Sequence, residues 1–404
     1  MERREFLKRI GAAGLGGAIA GAKGYGADAN EPNAPAKEEK IQITKVPRRK
    51  LGKTGVDVPI LALGFGAAGE SIVLNQSLDW GVNHWDTSLV AAGGNSETSI
   101  GEFIAKNPNR RKEIFIVTKE NDSKNAADME KCLQTSLKRL NTSYADLYFG
   151  VYRMSDPAQL TDEVKNWAKG AKDRGLIKFF GFSTHANIEK CLMAAAKTDW
   201  IDAIQFSCNF RLMQGVEMQA AIDACHKAGI GLIAMKTQGG RQAATDSEAD
   251  KKLIAHFLQK GFTEGQAKIK AVIQDERIST ACVAMGSTAM LMTNIAAVLD
   301  KTKLTQADME ALRQYAAATC SGYCAGCAEI CESVVAQAPI SDVMRYLMYY
   351  NSNGDKQEAR KLFAQLPADV KKGLLNIDYS FAEARCPQHL PIGKLVAEAV
   401  SKLT

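Results

Sequence analysis

His84-Trp85-Asp86-Thr87-Ser88-Leu89-Val90-Ala91-Ala92-Gly93-Gly94-Asn95-Ser96-Glu97 is the stretch on which the reading of this 404-residue chain turns. Residues 83–88 have the length and apolar content of a buried strand, and near its end stands a carboxylate, Asp86. Outward from there the pattern repeats. Strand-like runs at 59–66, 83–88, 114–119, 146–152, 179–183, 203–209, 231–237 and 280–287 alternate with amphipathic stretches such as 126–140, 158–174, 188–197 and 216–227, several of them closed by Gly. Eight βα units over about 240 residues predict an α/β protein, a closed (β/α)8 TIM barrel rather than an open sheet. Chemistry in such a barrel sits at the C-terminal ends of the strands, so Asp86, Lys119, Tyr152, Ser183, Gln205, Lys236 and Ser287 are expected around one mouth.

The composition, 46% hydrophobic and 24% charged, is that of a globular protein, with no apolar run of the roughly 18 residues that a membrane helix needs. The net charge of +6 is too mild to argue for nucleic acid, the more so because Arg3, Arg4, Lys8, Arg9 and Lys23 outnumber Glu2, Glu5 and Asp28 at the start of the chain. Residues 1–29 combine a basic start, a weakly apolar Ala/Gly stretch and a small-residue site at Ala27-Asp28-Ala29, the layout of a targeting segment. Arg3-Arg4-Glu5-Phe6-Leu7-Lys8 resembles the twin-arginine motif, which implies export to the periplasm or beyond of a protein already folded around its cofactor. Residues 30–46 read as a linker, 47–304 as the barrel and 305–404 as a helical C-terminal domain. Residues 238–277 are longer than a simple connection and hold a helical segment near 251–260, read as an insertion that covers the mouth.

The opening stretch resembles the first signature of the aldo-keto reductases, Asp-Thr-Ala-x-x-Tyr-Gly-x-Gly-x-Ser-Glu, at Asp86, Thr87, Gly94, Ser96 and Glu97. Residues 48–58 resemble the hairpin that caps the barrel in that family, and Val117-Thr118-Lys119 its strand-ending lysine. The resemblance implies NADP or NAD as hydride donor and a small carbonyl or sugar-like substrate. It also implies a catalytic set in which Asp86 and Lys119 tune a tyrosine that protonates the product, while a histidine orients the substrate. Two members of that set are replaced. Ala91 stands at the tyrosine position, and the histidine position after Asp146-Leu147-Tyr148 falls on Val151 or Tyr152. A missing general acid costs on the order of 10²- to 10⁴-fold, so Tyr152 is the candidate replacement donor. For the cofactor, Gly181-Phe182-Ser183-Thr184 and Ala203-Ile204-Gln205-Phe206 resemble the strands that hold the carboxamide, through Ser183, Thr184 and Gln205. Ala234-Met235-Lys236 resembles the strand near the pyrophosphate. Residues 284–294 resemble the last phosphate region, with Ser287 and Asn294 retained but Gly286 and Thr293 where arginine and glutamate are usual, which weakens the preference for NADP over NAD.

Five of the ten cysteines are scattered through the barrel as small buried hydrophobes. The others are C-terminal: Cys320, Cys324, Cys327, Cys331 and Cys386. On one straight helix the outer two of the first four would stand about 16 Å apart, too far to share a metal centre, and Gly322 and Gly326 argue for a chain that turns. The run resembles a ferredoxin pattern, with Cys386-Pro387 as the later Cys-Pro, which implies a 4Fe-4S cluster on Cys320, Cys324, Cys327 and Cys386, with Cys331 as orphan or substitute. Disulfides and a zinc site are the competing readings. The function expected is therefore an exported oxidoreductase able to pass electrons to a partner, and the alternative is a nucleotide-binding or redox scaffold that has lost its acid.

Overall fold

The computed structural model describes residues 44–64, 71–120, 123, 125–239, 248–318, 324–326, 328–352, 356–386 and 388–404. The signal-like segment and nearly all of the linker lie outside them. Eight parallel strands close a barrel: β3 (Leu61–Gly64), β4 (His84–Asp86), β5 (Phe115–Lys119), β6 (Ala145–Met154), β7 (Ile177–Thr184), β8 (Ala203–Ser207), β9 (Gly231–Met235) and β10 (Thr280–Ala284), which pairs back with β3. All eight expected strands are present. The hairpin β1 (Arg48–Lys50) and β2 (Asp57–Pro59) plugs the N-terminal end, with Leu51 fully buried and Lys53 donating from its backbone to Gly229.

Alternation along the strands separates two cores. Phe115, Val117, Leu147, Phe149 and Ile233 fill the barrel with Leu51, while Ile116, Tyr148 and Ile204 face outward under the helices. The inward rank of β5 continues to Lys119, whose ammonium therefore emerges at the mouth. The inward rank of β6 does not continue to residue 151. Register shifts between Phe149 and Val151, and again between Val151 and Met154, are β-bulges that turn Val151 into the outer core. Tyr152 and Arg153 are left half-buried at the strand's end.

The barrel helices include α1 (Ser71–Asp79), α2 (Asn95–Lys106), α3 (Ala126–Arg139), α4 (Asp162–Asp173), α5 (Ile188–Ala195) and α6 (Val216–Lys227). The insertion supplies α7 (Glu248–Leu258), followed by α8 (Glu264–Ile273), α9 (Thr288–Leu299) and α10 (Gln306–Ala318). Leu253 and Phe257 of α7 share a core with Leu312 and Tyr315 of α10. The described part of the insertion thus packs on the C-terminal extension. Residues 240–247 of the insertion lie outside the described residues, and a helix further on reaches the mouth.

That helix is α12, which belongs to a second all-helical core made by α11 (Ala328–Glu332), α12 (Ile340–Ser352), α13 (Lys356–Ala364), α14 (Ala368–Gly373), α15 (Ser380–Arg385) and α16 (Ile392–Leu403). Met348 of α12 packs against both this core and the barrel's outer core. The cysteine loop touches the barrel directly: Asn187, after β7, donates from its backbone to Gly326 O at 2.8 Å. Gly326 has φ +82°, and a Cβ there would stand 2.1 Å from His185 O. Gly326→Ala should therefore cost about 1–3 kcal/mol and expose residues 305–404 to limited proteolysis. An unchanged urea midpoint and cleavage pattern would contradict this docking.

Candidate active site

Lys119 and Asp86 form the floor of the mouth. Lys119 Nζ donates to Asp86 Oδ1 at 2.6 Å and to Thr87 O at 2.8 Å, and both side chains are buried. Charges so enclosed persist only as a hydrogen-bonded pair. The Phe149 ring lies 5.7 Å below the ammonium. Cys282 packs beside them as a neutral thiol, because burial and then the Asp86 charge push it well above the usual range. His84 is fully buried one turn of the pleat below, with neither ring nitrogen bonded among the described residues; burial holds it down to about 4, so it is a neutral core imidazole.

The loop after β4 is built by the rest of the opening stretch. Thr87 Oγ1 and Ser96 Oγ share a hydrogen bond of 2.6 Å, and Glu97, wholly buried, accepts from Thr118 Oγ1 at 2.6 Å and pairs with Arg139 at 3.4 Å. Gly94 has φ +93°, and a side chain there would strike the Arg139 guanidinium. These residues clamp loop to strand. Ala91, half-buried in a 3-10 turn at Ala91–Gly94, carries no donor.

Around the rest of the mouth, each expected residue has a definite setting. Tyr152 donates its backbone N–H to Glu120 Oε1 at 2.9 Å and lies with its ring 4.6 Å from the Arg153 guanidinium carbon. Ser183 Oγ accepts from Arg153 N at 3.1 Å, and Ser183 pairs in register with Gln205 across β7 and β8. Gln205 is 1% exposed, and its carbonyl oxygen has no hydrogen-bond partner among the described residues. Thr184 Oγ1 donates to Ala186 O, within its own turn. Ser287 caps α9 by accepting from Met290 N, and Asn294 is buried in that helix. Lys236 has φ +58° and holds its ammonium 5.1 Å from the ring of Tyr349 in α12.

Glu120, which the sequence reading does not single out, and His185, which it takes for a loop histidine rather than a catalyst, are both brought to the site. Glu120, 3% exposed, binds the backbone of Tyr152 and of Ser123 and so holds the bulged end of β6; an acid directly after the strand-ending lysine was the available signal. His185 contacts Ser207 Oγ through Nδ1 at 3.0 Å, and burial, then the charges of Arg345, Lys236, Arg153 and Lys119, keep it well below the usual histidine range.

Of the C-terminal cysteines, Cys320 and Cys327 lie outside the described residues. Cys324, Cys331 and Cys386 line one narrow apolar cavity with Ile340, Met344 and Ile392. None of the three is in a disulfide. Burial first of all, and its two cysteine neighbours, push the Cys324 thiol up to about 12, against the backbone of Gly326 and the charge of Arg345. No group of three or more His, Cys, Asp or Glu side chains among the described residues has the arrangement of a metal site. Cys331, the expected orphan, faces the same cavity as Cys324 and Cys386.

A family model described as "Aldo/keto reductase family" matches residues 70–317. The chain belongs to the aldo/keto reductase family. This aldo/keto reductase is 32% identical to an NADP(+) aldo-keto reductase of Schizosaccharomyces pombe over 161 residues, covering 34% of this chain and 45% of that one. It is 24% identical to L-galactose dehydrogenase of Arabidopsis thaliana over 306 residues, 67% of this chain and 94% of that one. The chain thus spans under half of the first relative and nearly all of the second. In fold it matches the crystal structure of a thermostable aldo-keto reductase in complex with the inhibitor epalrestat, at a TM-score of 0.56 and 24% identity over 67% of this chain and all of that one.

The pair at the floor makes a stability prediction. Lys119→Met leaves the Asp86 carboxylate buried without its cation and should cost about 3–5 kcal/mol. Adding Asp86→Asn removes that charge and should restore part of the loss in urea unfolding. A double variant no more stable than the single one would show that the ion pair is not what holds the mouth.

Proposed function

We propose that this aldo/keto reductase is an exported NAD(P)-dependent oxidoreductase acting on a small carbonyl or sugar-like substrate, with a 4Fe-4S cluster in its C-terminal domain. The observation that carries the nicotinamide reading is Gln205. A buried amide oxygen without a partner is costly, and a carboxamide N–H would satisfy it at the level of Ser183. On this reading Ser183, Thr184 and Gln205 hold the carboxamide end, while Lys236, Ser287 and Asn294 hold the phosphates. Ser287 opens a twelve-residue helix whose N-terminus favours an anion. When bound, a reduced nicotinamide supplies hydride to the substrate carbon. The chain's own part is to hold Lys119 against Asp86 at the floor of the mouth, with α12 above it. The name of one relative includes NADP(+) and that of another L-galactose, in keeping with this cofactor and a sugar-like substrate.

The cluster reading rests on donor chemistry: Cys324, Cys331 and Cys386 around one apolar cavity, with Cys320 or Cys327 available as the fourth thiolate. Such a cluster would accept or deliver electrons one at a time, which implies an electron-transfer partner. Among the described residues no helix is long and apolar enough to cross a membrane. The resemblance of residues 3–8 to the twin-arginine motif supports export of the folded, loaded protein.

Anaerobic purification followed by nucleotide extraction and iron and sulfide assay tests both halves. The expected result is bound NAD(P) together with about four irons and four sulfides per chain, and at least tenfold weaker nucleotide binding in Gln205→Leu. Protein without nucleotide or affinity for it overturns the first half, and protein without iron overturns the second. Nucleotide that binds but never exchanges hydride with a carbonyl or polyol would instead indicate a nucleotide-binding scaffold.

A further inference from the structure

Reduction of a carbonyl needs a proton as well as a hydride, and the signature position for the donor is Ala91. Above the mouth, aromatic rings and cations alternate. The Arg153 guanidinium lies 4.6 Å from the Tyr152 ring on one side and 5.7 Å from the Tyr349 ring on the other, and Lys236 stands 5.1 Å from Tyr349. Arg153 lies one residue before the end of β6 and Lys236 directly follows β9, so Tyr349 meets residues from the two strands that flank β7 and β8. Those strands carry Ser183 and Gln205. Both Arg153 and Lys236 are held in the left-handed region, at φ +56° and +58°, a conformation unfavourable for a long side chain.

We propose that Tyr349, lent to the barrel mouth by α12, is the proton donor of this enzyme, taking the place left by Ala91. The proposal rests on the reductase reading above. Hydride passes with its electron pair from the reduced nicotinamide to the carbonyl carbon, the C=O π pair becomes the alkoxide, and that oxygen takes the phenolic proton of Tyr349. The tyrosinate left behind is stabilised between two cations and is reprotonated from water. In the oxidising direction the same tyrosinate accepts the alcohol proton.

The surroundings favour Tyr349 over Tyr152 for this work. Tyr349 is 7% exposed and lies between Arg153 and Lys236, whereas Tyr152 is half-buried at the rim beside Arg153. Burial alone would push the Tyr349 phenol up, but the charges of Arg153, Lys236 and Arg345 outweigh both that and the opposing charge of Asp342, and hold it below the usual tyrosine range. Tyr346, one turn back on α12, is the contrast: burial pushes it up to about 12. A donor is effective when its pKa approaches the working pH.

The test uses the full chain purified anaerobically, and reads two signals. Tyrosinate absorbance is followed against pH, and oxidation of NADPH or NADH is followed with a panel of aldehydes, 1,2-diketones and aldoses. In the native protein one phenol should ionise before the rest, and reduction should fall as pH rises through that same step, because the donor has then lost its proton. Tyr349→Phe should abolish the early step and lower kcat by about 10²- to 10⁴-fold, with nucleotide affinity within about twofold of native. Lys236→Met should move the spectroscopic step and the alkaline limb of the rate profile upward together. Tyr346→Phe should leave both in place. Activity that survives Tyr349→Phe, or a native titration with no early phenol, overturns the donor role while leaving the reductase reading intact. A native protein that binds nucleotide and reduces nothing in the panel overturns the reductase reading and the donor role with it.

Discussion

Lys119 can carry a charge into the barrel mouth only because Asp86 is held 2.6 Å from it, and the local structure serves that contact. The two residues end adjacent strands whose register sets Asp86 against Val117, two residues before the lysine. An exposed pair would contribute little, whereas an enclosed one is lost if either partner moves. The loop that follows Asp86 is accordingly pinned twice, by Thr87 to Ser96 and by Glu97 to Thr118. This gives the opening stretch two distinct parts. Thr87, Gly94, Ser96 and Glu97 hold the loop and the start of α2, and that need persists whatever chemistry the barrel performs. The residue at position 91, where the resemblance implies a tyrosine, has no such structural duty.

The mouth is completed from outside the barrel. Bulges at the end of β6 divert Val151 outward and leave Tyr152 and Arg153 at the rim, where Glu120 fixes the backbone. Arg153 and Lys236 then receive Tyr349 between them. Gly326 brings the cysteine loop against His185 at the end of β7. The barrel and the helical domain therefore meet at the strand ends where a nicotinamide would lie, with the cavity of Cys324, Cys331 and Cys386 in the same domain.

The barrel was legible because buried parallel strands must be short, apolar and evenly spaced, as Ile116-Val117 or Leu232-Ile233-Ala234 are. Lys119, Asp86, Ser183 and Gln205 were legible as polar residues ending such runs. The mouth's roof was not, since no local pattern states that Tyr349 will meet Arg153 and Lys236. Residues 145–152 could not be assigned a register because a bulge leaves no mark in a run of alternating apolar residues. Glu120 is marked in the sequence by nothing but its place after Lys119, and only its burial and its bonds to the backbone of Tyr152 and Ser123 show that it holds the end of β6. Cys331 reads as orphan or substitute because Glu332 follows it where Pro387 follows Cys386, and residue order along the chain gives no sign that the short helix Ala328–Glu332 sets it on the same cavity as Cys324 and Cys386.

The central claim is that the barrel mouth is a composite, floored by Lys119 and Asp86 and roofed by α12. Hydrogen exchange on the full chain, with and without saturating NADPH or NADH, tests it most directly. The account predicts that nucleotide slows exchange together at the ends of β7 and β8 and along Ile340–Ser352. Protection confined to the barrel, with the roof helix exchanging as before, would contradict it.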